Sequence, residues 1–139
     1  MGHVYANLTL SNSFDSLLAK RGDIPLEKVR KMEVTAMVDS GARTLAINEE
    51  IAKQLGLEVE QQVEAVLADG SYRKCDYVGP VNIYFENRFS CVHALVVPGA
   101  DEILLGVIPL EEMDVIIDPL SEKLVVHPDR PHGAQMKLK

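Results

Sequence analysis

Met32-Glu33-Val34-Thr35-Ala36-Met37-Val38-Asp39-Ser40-Gly41-Ala42 is the stretch on which the reading of this chain turns. Val34, Ala36 and Val38 alternate with Glu33, Thr35 and Met37, which predicts a β-strand with one buried face. The strand ends at Asp39 and runs directly into a tight turn. Gly41 lets the backbone approach closely, Ala42 takes little room, and Ser40 offers a hydroxyl to nearby backbone. Such a turn would hold a carboxylate rigidly at the end of a buried strand. The plain alternative is an Asx turn that merely terminates the strand. Four residues do not decide between the two.

Before this stretch, Val4, Ala6, Leu8 and Leu10 alternate over His3 to Leu10 and predict a first strand. Ser11 to Ser13 is expected to break it. Phe14, Leu17 and Leu18 suggest a short helix or folded loop, with Ser13 as N-cap and Gly22 as stop. Asp23 to Lys31 mixes Pro25 with charges and reads as exposed. After the stretch, Ile47 to Leu55 is the clearest helix: Asn48 caps it, Glu49 and Glu50 complement its positive end, and Gly56 closes it. Val63 to Leu67 and Tyr72 to Val78 flank Ala68-Asp69-Gly70-Ser71. Asp-Gly tolerates positive φ at both central turn positions and predicts a hairpin. Gly79-Pro80 punctuates. Val81, Ile83 and Phe85 alternate as a further strand, Asn87-Arg88 turns, and Phe89 to Val97 returns. Ile103-Leu104-Leu105 is a short apolar strand stopped by Gly106, and Ile108 to Met113 can form one helical turn. Val115 to Ile117 and Leu124 to Val126 read as a hairpin with Pro119 in its turn. Residues 128–139 form a polar, Pro-broken tail expected to fray. The total is eight to ten short strands and one clear helix, a mainly β chain, closed or sandwiched.

The 139 residues allow one domain and no enzyme that needs two catalytic lobes in one chain. The net charge is −7, with residues 39–139 carrying nine Lys/Arg against seventeen Asp/Glu. No basic stripe exists to neutralise phosphates, so neither nucleic acid nor an anionic membrane surface is an expected partner. The longest apolar runs are four residues, too short to span a bilayer, and the start lacks the features of a signal peptide. Cys75 and Cys91 show no CxxC spacing and read as free thiols in a reducing cytoplasm, with a Cys75–Cys91 disulfide the less favoured option. Trp is absent and the aromatics are four Tyr and three Phe, so the core must be built from Val, Leu and Ile.

In order, an apolar strand enters Asp39-Ser40-Gly41-Ala42, and a connecting strand and helix follow. Next come a hairpin with its tip at Ala68 to Ser71, two further strands, and Ile103-Leu104-Leu105-Gly106 before a helical turn. This order resembles the retropepsin-like aspartic proteases, the single-lobe relatives of pepsin, and is most similar to their bacterial and archaeal members. The resemblance covers residues 32–127 and extends plausibly to the first strand. It implies a closed β-barrel over residues 1–127 with a flap hairpin. It implies an aspartic endopeptidase in which Asp39 of each of two chains activates a water. Ser40, Gly41 and Ala42 would complete the active-site loop, Ala68, Asp69, Gly70 and Ser71 the flap tip, and Ile103, Leu104, Leu105 and Gly106 the support beneath. The C-terminal hairpin would share in the dimer interface. No metal or organic cofactor is implied, and the substrate would be a protein or peptide. Ala42, Ile103 and Leu104 are expected to give an apolar groove wall. There are two departures. Viral retropepsins often carry an acidic residue after the D-[ST]-G-A and an Arg after the later Gly, where this chain has Arg43 and Val107. Residues 11–31 also look like an insertion.

Other chemistries fit the residues less well. His3, His93, His127 and His132 with Cys75 and Cys91 show no metal-ligand spacing. G-x-S-x-G is absent, so Ser40 has no marked role as a nucleophile. Arg21-Gly22-Asp23 reads as a chance tripeptide, and Glu111-Glu112-Met113-Asp114 as a solvated face. Two rivals remain: a retropepsin-like dimeric binding or scaffold module with little proteolysis, and an unrelated β-barrel in which Asp39 only ends a strand. Oligomeric state and the effect of Asp39→Asn on peptide cleavage discriminate among the three.

Overall fold

The computed structural model describes residues 2–138. Strand β1 (Tyr5–Asn12) buries Ala6, Leu8 and Leu10 on its inner face, as their alternation predicts. It lies antiparallel to β2 (Lys31–Val38), in register from Tyr5↔Met37 to Ser11↔Lys31. The same strand pairs on its other edge with β5 (Tyr72–Phe85), from Thr9↔Tyr84 to Asn12↔Val81. That second pairing closes the sheet. With β3 (Leu45–Ile47), β6 (Arg88–Val96) and β7 (Ile103–Leu105), the strand order β1-β2-β7-β3-β6-β5 returns to β1 as a six-stranded barrel without open edges. Strand β4 (Val59–Val66) pairs with β5 alone and extends the β5 side as a hairpin. Inside the barrel, Leu10, Ala36, Leu45, Ile47, Val81, Ile83, Ala94 and Leu105 are fully buried. Small and branched side chains fill this interior, in keeping with the scarcity of aromatics.

Helix α2 (Glu49–Gln54) starts two residues later than expected because Ile47 is taken by β3, where it pairs with Val96. Asn48 caps the helix as predicted, its Oδ1 accepting from the Ile51 N–H at 3.0 Å. Gly79-Pro80 does not end a strand. β5 runs through both residues as a bulge, and the register with β6 shifts between Val78 and Val81. β6 pairs with β5 on both sides of the bulge, β4 before it and β1 after it, so local breakers are overridden by pairing. The β5–β6 turn is Glu86-Asn87, with Glu86 at φ 50°, and Arg88 begins β6 instead of belonging to the turn. Helix α3 (Val107–Met113) follows β7, and β8 (Val115–Asp118) with β9 (Lys123–Val126) forms the expected C-terminal hairpin.

The tail is more ordered than its composition suggests. Asp114, at the left-handed C-cap of α3, accepts from Arg130 Nη2 at 2.9 Å and from the Gln135 N–H at 3.1 Å. Its carboxyl is held far below the ordinary carboxylate range, chiefly by the Arg130 bonds. Arg88 Nη2 donates to the Arg130 carbonyl at 2.6 Å, and Asn87 Nδ2 to that of Pro131 at 2.8 Å. The two cysteines are free. The ladder sets them about six residues apart, roughly 20 Å, which is beyond disulfide reach.

β1 runs on through Ser11 and Asn12, which pair with Lys31 and Val81 instead of breaking the strand, so the excursion from the barrel is residues 13–30. They form α1 (Ser13–Lys20) and a single 3-10 turn at Leu26–Lys28. The cap of α1 is Asn12, not Ser13; its Oδ1 accepts from the Asp15 N–H at 3.0 Å. Asn12 also donates through Nδ2 to the Leu55 carbonyl at 2.8 Å, tying the excursion to the end of α2. Asp15, 6% exposed, accepts from the Arg30 N–H at 3.0 Å, Nε at 2.7 Å and Nη2 at 2.9 Å. These bonds hold the Asp15 carboxyl below its ordinary range. A carboxylate so depressed stabilises the fold above about pH 4 and loses that stabilisation as pH falls through its folded pKa. Asp15→Ala should therefore cost about 2 kcal/mol at neutral pH, since Arg30 is half exposed and the loss is partly screened. In urea titrations, the gap between the native chain and the variant should narrow toward pH 2. A gap of equal size at both pH values would show that the ion pair does not carry it.

Candidate active site

The loop expected at the end of β2 is built by two strands that are distant in sequence. β2 pairs in parallel with β7, Val38 opposite Leu105. The ladder continues one step beyond the strand, where the Asp39 N–H donates to the Leu105 carbonyl at 3.0 Å. The chain then folds back sharply, with the Ala42 N–H donating to the Asp39 carbonyl at 3.1 Å. Asp39 is half-buried, and its Oδ1 accepts from the Gly41 N–H at 2.9 Å. Ser40 and Gly41 are exposed at the outer bend. The Asx geometry foreseen as the plain alternative is thus present, and the carboxylate stays accessible within it.

Gly106 explains why the loop sits where it does. A Cβ at this position would lie 2.3 Å from the Thr44 carbonyl oxygen and 2.6 Å from that of Ala42. The loop backbone rests directly on the glycine. Just after it, the Val107 N–H donates to the Ala42 carbonyl at 2.8 Å and the Ile108 N–H to that of Arg43 at 2.9 Å. Leu104 and Leu105 belong to the same platform, Leu105 fully buried and Leu104 half-buried. Ile103, expected as a groove wall, is instead 8% exposed and packed in the core cluster. Of the three residues named for the wall, Ala42 and Leu104 keep accessible surface. Strand alternation accounts for this, since Ile103 and Leu105 share the inward face.

Thr44 was not foreseen. It is buried, and its Oγ1 donates to the His93 carbonyl at 2.7 Å, which fastens the far end of the loop to β6. The only sequence signal was its place between the turn and the apolar Leu45-Ala46-Ile47. His93 itself stacks on Tyr77 with ring centroids 5.1 Å apart and is half-buried on the sheet.

The β4–β5 hairpin has an exposed tip at Ala68, Asp69, Gly70 and Ser71. The Leu67 N–H donates to the Ser71 carbonyl at 2.8 Å and the Gly70 N–H to that of Leu67 at 2.9 Å. This is a three-residue loop with only Gly70 at positive φ (85°), not a two-residue turn. Asp69 Oδ1 accepts from both the Ser71 N–H and hydroxyl, and those bonds hold its carboxyl below the usual range. The tip is internally braced, while Val66 and Tyr72 just below it remain largely exposed. Among the described residues no group of three His, Cys, Asp or Glu side chains gathers as a metal site, and no helix is long and apolar enough to cross a membrane.

A family model described as "gag-polyprotein putative aspartyl protease" matches residues 28–112, the span from before β2 into the last turn of α3. No curated protein matches the chain. Among solved structures, it is similar to a retropepsin-like aspartic protease from Rickettsia conorii. That likeness has 21% identity and a TM-score of 0.51, over 84% of this chain and 77% of that one. It is similar also to the retroviral protease-like domain of Ddi1 from Leishmania major, at 17% identity and a TM-score of 0.57 over 92% and 90%. The closed barrel and the strand-end carboxylate loop define a retropepsin-like fold. The chain belongs to the retropepsin-like aspartyl protease family.

Proposed function

We propose that this chain is an aspartic endopeptidase that works as a homodimer, Asp39 of each protomer supplying half of one catalytic dyad. The observation that carries the reading is the loop 39–42, pinned by Leu105 and seated on Gly106, which presents a single accessible carboxylate. The sequence holds one Asp-Ser-Gly-Ala, and hydrolysis by this route needs two carboxylates. One takes a proton from water as the oxygen attacks the scissile carbonyl carbon, and the other donates a proton to the carbonyl oxygen. Two carboxylates at hydrogen-bond distance do not both ionise readily, so the pair shares one proton and titrates as a unit. A two-fold axis beside Asp39 provides this arrangement from identical chains. The flap tip, Ala68 to Ser71, would fold over bound peptide and exclude water. The substrate class is a protein or unfolded peptide segment, and free Cys75 and Cys91 suit a reducing compartment such as the cytoplasm.

Sedimentation velocity across a wide concentration range is the direct test. A dimer is expected at the concentrations where peptide is cleaved. A monomer under every condition that supports cleavage would sink the shared dyad.

A further inference from the structure

We propose that Arg43 makes the substrate groove selective for acidic side chains, two or three residues from the scissile bond and on both sides of it. The inference rests on the dimeric reading above and names its substrate class. The chain has six arginines. Arg21, Arg30 and Arg130 are engaged with Asp23, Asp15 and Asp114. Arg73 Nη1 donates to the Pro98 carbonyl, and Arg88 is buried against the Arg130 carbonyl. Arg43 alone among the arginines has no side-chain acceptor among the described residues, in a chain with 21 acidic residues. Its side chain is exposed, while its backbone is tied into the site. Its carbonyl accepts from the Ile108 N–H at 2.9 Å, and the next residue, Thr44, is buried and bonded to β6. A long cationic side chain is therefore carried on a backbone tethered to α3 and followed by a buried, bonded Thr44.

Position sets which substrate residue it meets. The turn bond from Ala42 to Asp39 brings those Cα atoms within about 7 Å, and Arg43 lies one step of about 3.8 Å beyond. An extended peptide advances about 3.3 Å per residue, so Arg43 serves a side chain two or three residues from the bond lying over Asp39. The two-fold axis repeats it on the other side. The favoured segment has apolar residues at the cut and an Asp or Glu on each flank. The net charge of −7 repels such a segment at a distance, but salt screens that field beyond about 10 Å, leaving the local cation to decide.

The test uses peptides with one apolar centre and Asp at neither, one or both flanking positions, beside Asn counterparts. Binding is read by fluorescence anisotropy on Asp39→Asn and on Asp39→Asn combined with Arg43→Gln, so recognition is measured without hydrolysis. Cleavage by the native chain and by Arg43→Gln is read in parallel. Each Asp should favour binding about fivefold over Asn at pH 6. Arg43→Gln should erase the preference and Arg43→Glu reverse it. The preference should fade below about pH 4, where the peptide carboxyls protonate. Equal affinity for Asp and Asn peptides, a preference that survives Arg43→Gln, or no binding of any peptide overturns the proposal. Acidic preference in binding with no cleavage by the native chain would instead leave Arg43 in its role and remove the protease reading.

Discussion

On the proposed mechanism, Asp39→Asn is expected to leave a folded dimer whose peptide hydrolysis falls by about a thousandfold or more. Asn matches Asp in shape, and its side-chain oxygen can still accept the Gly41 N–H that Oδ1 accepts at 2.9 Å. The Asp39 backbone bond to Leu105 is untouched, so the loop keeps its place. What would disappear is the proton-transfer capacity of both halves of the proposed dyad at once. Mixing native and variant chains sharpens the experiment. If subunits exchange freely in an equal mixture, about a quarter of the dimers carry two native carboxylates, and activity should fall below simple dilution. Equal cleavage by native and variant chains would exclude Asp39. No cleavage by either, across mildly acidic to neutral pH, would move the reading to a peptide-binding or scaffold dimer.

Gly106→Ala has the largest expected structural effect. The added Cβ meets backbone, not a flexible side-chain end: the Thr44 carbonyl at 2.3 Å, the Ala42 carbonyl at 2.6 Å and the Thr44 nitrogen at 2.7 Å. The clash can be relieved only by moving β7 or the loop, and β7 is held by β2 on one side and β3 on the other. A cost of about 4 kcal/mol is expected, read from urea denaturation midpoints. Gly70→Ala is the control. It also replaces a glycine, at φ 85°, but its Cβ would meet nothing within 4 Å, so it should cost about 1 kcal/mol through backbone strain alone. If Gly106→Ala were as mild as Gly70→Ala, the loop would not depend on the glycine platform.

What the residues announced in advance follows from where local and global preferences agree. β1 and β2 alternate cleanly because one face of each lines the barrel. Asn48 caps α2 because its side chain has no better partner than the orphan N–H of Ile51. The Asp39 loop was legible because it joins three local signals: a buried strand, a turn and small residues. What was hidden depends on partners far along the chain. Gly79-Pro80 reads as a break, yet β6 pairs with β5 on both sides of it. Arg88 reads as a turn residue, yet it is 2% exposed beneath the tail, with Nε and Nη1 unpartnered in the structure. Thr44 is an unremarkable polar residue until β6 supplies the His93 carbonyl. The acidic-to-basic exchange at position 43 was visible, but its meaning required knowing which other arginines were engaged.

The excursion at residues 13–30 has a consequence for engineering. The Asn12 N–H donates to the Arg30 carbonyl at 2.9 Å, so the two ends of the excursion meet while β1 and β2 pair directly past it. The barrel wall therefore closes without the residues between these ends, although their replacement would forfeit the Asp15–Arg30 bonds. Closing a longer excursion costs only about 0.6 kcal/mol per doubling of length. A foreign helix, a sensor domain or a fluorescent reporter inserted in its exposed part, residues 21–27, would be carried on the wall of the barrel with Asp15 and Arg30 still paired at its base.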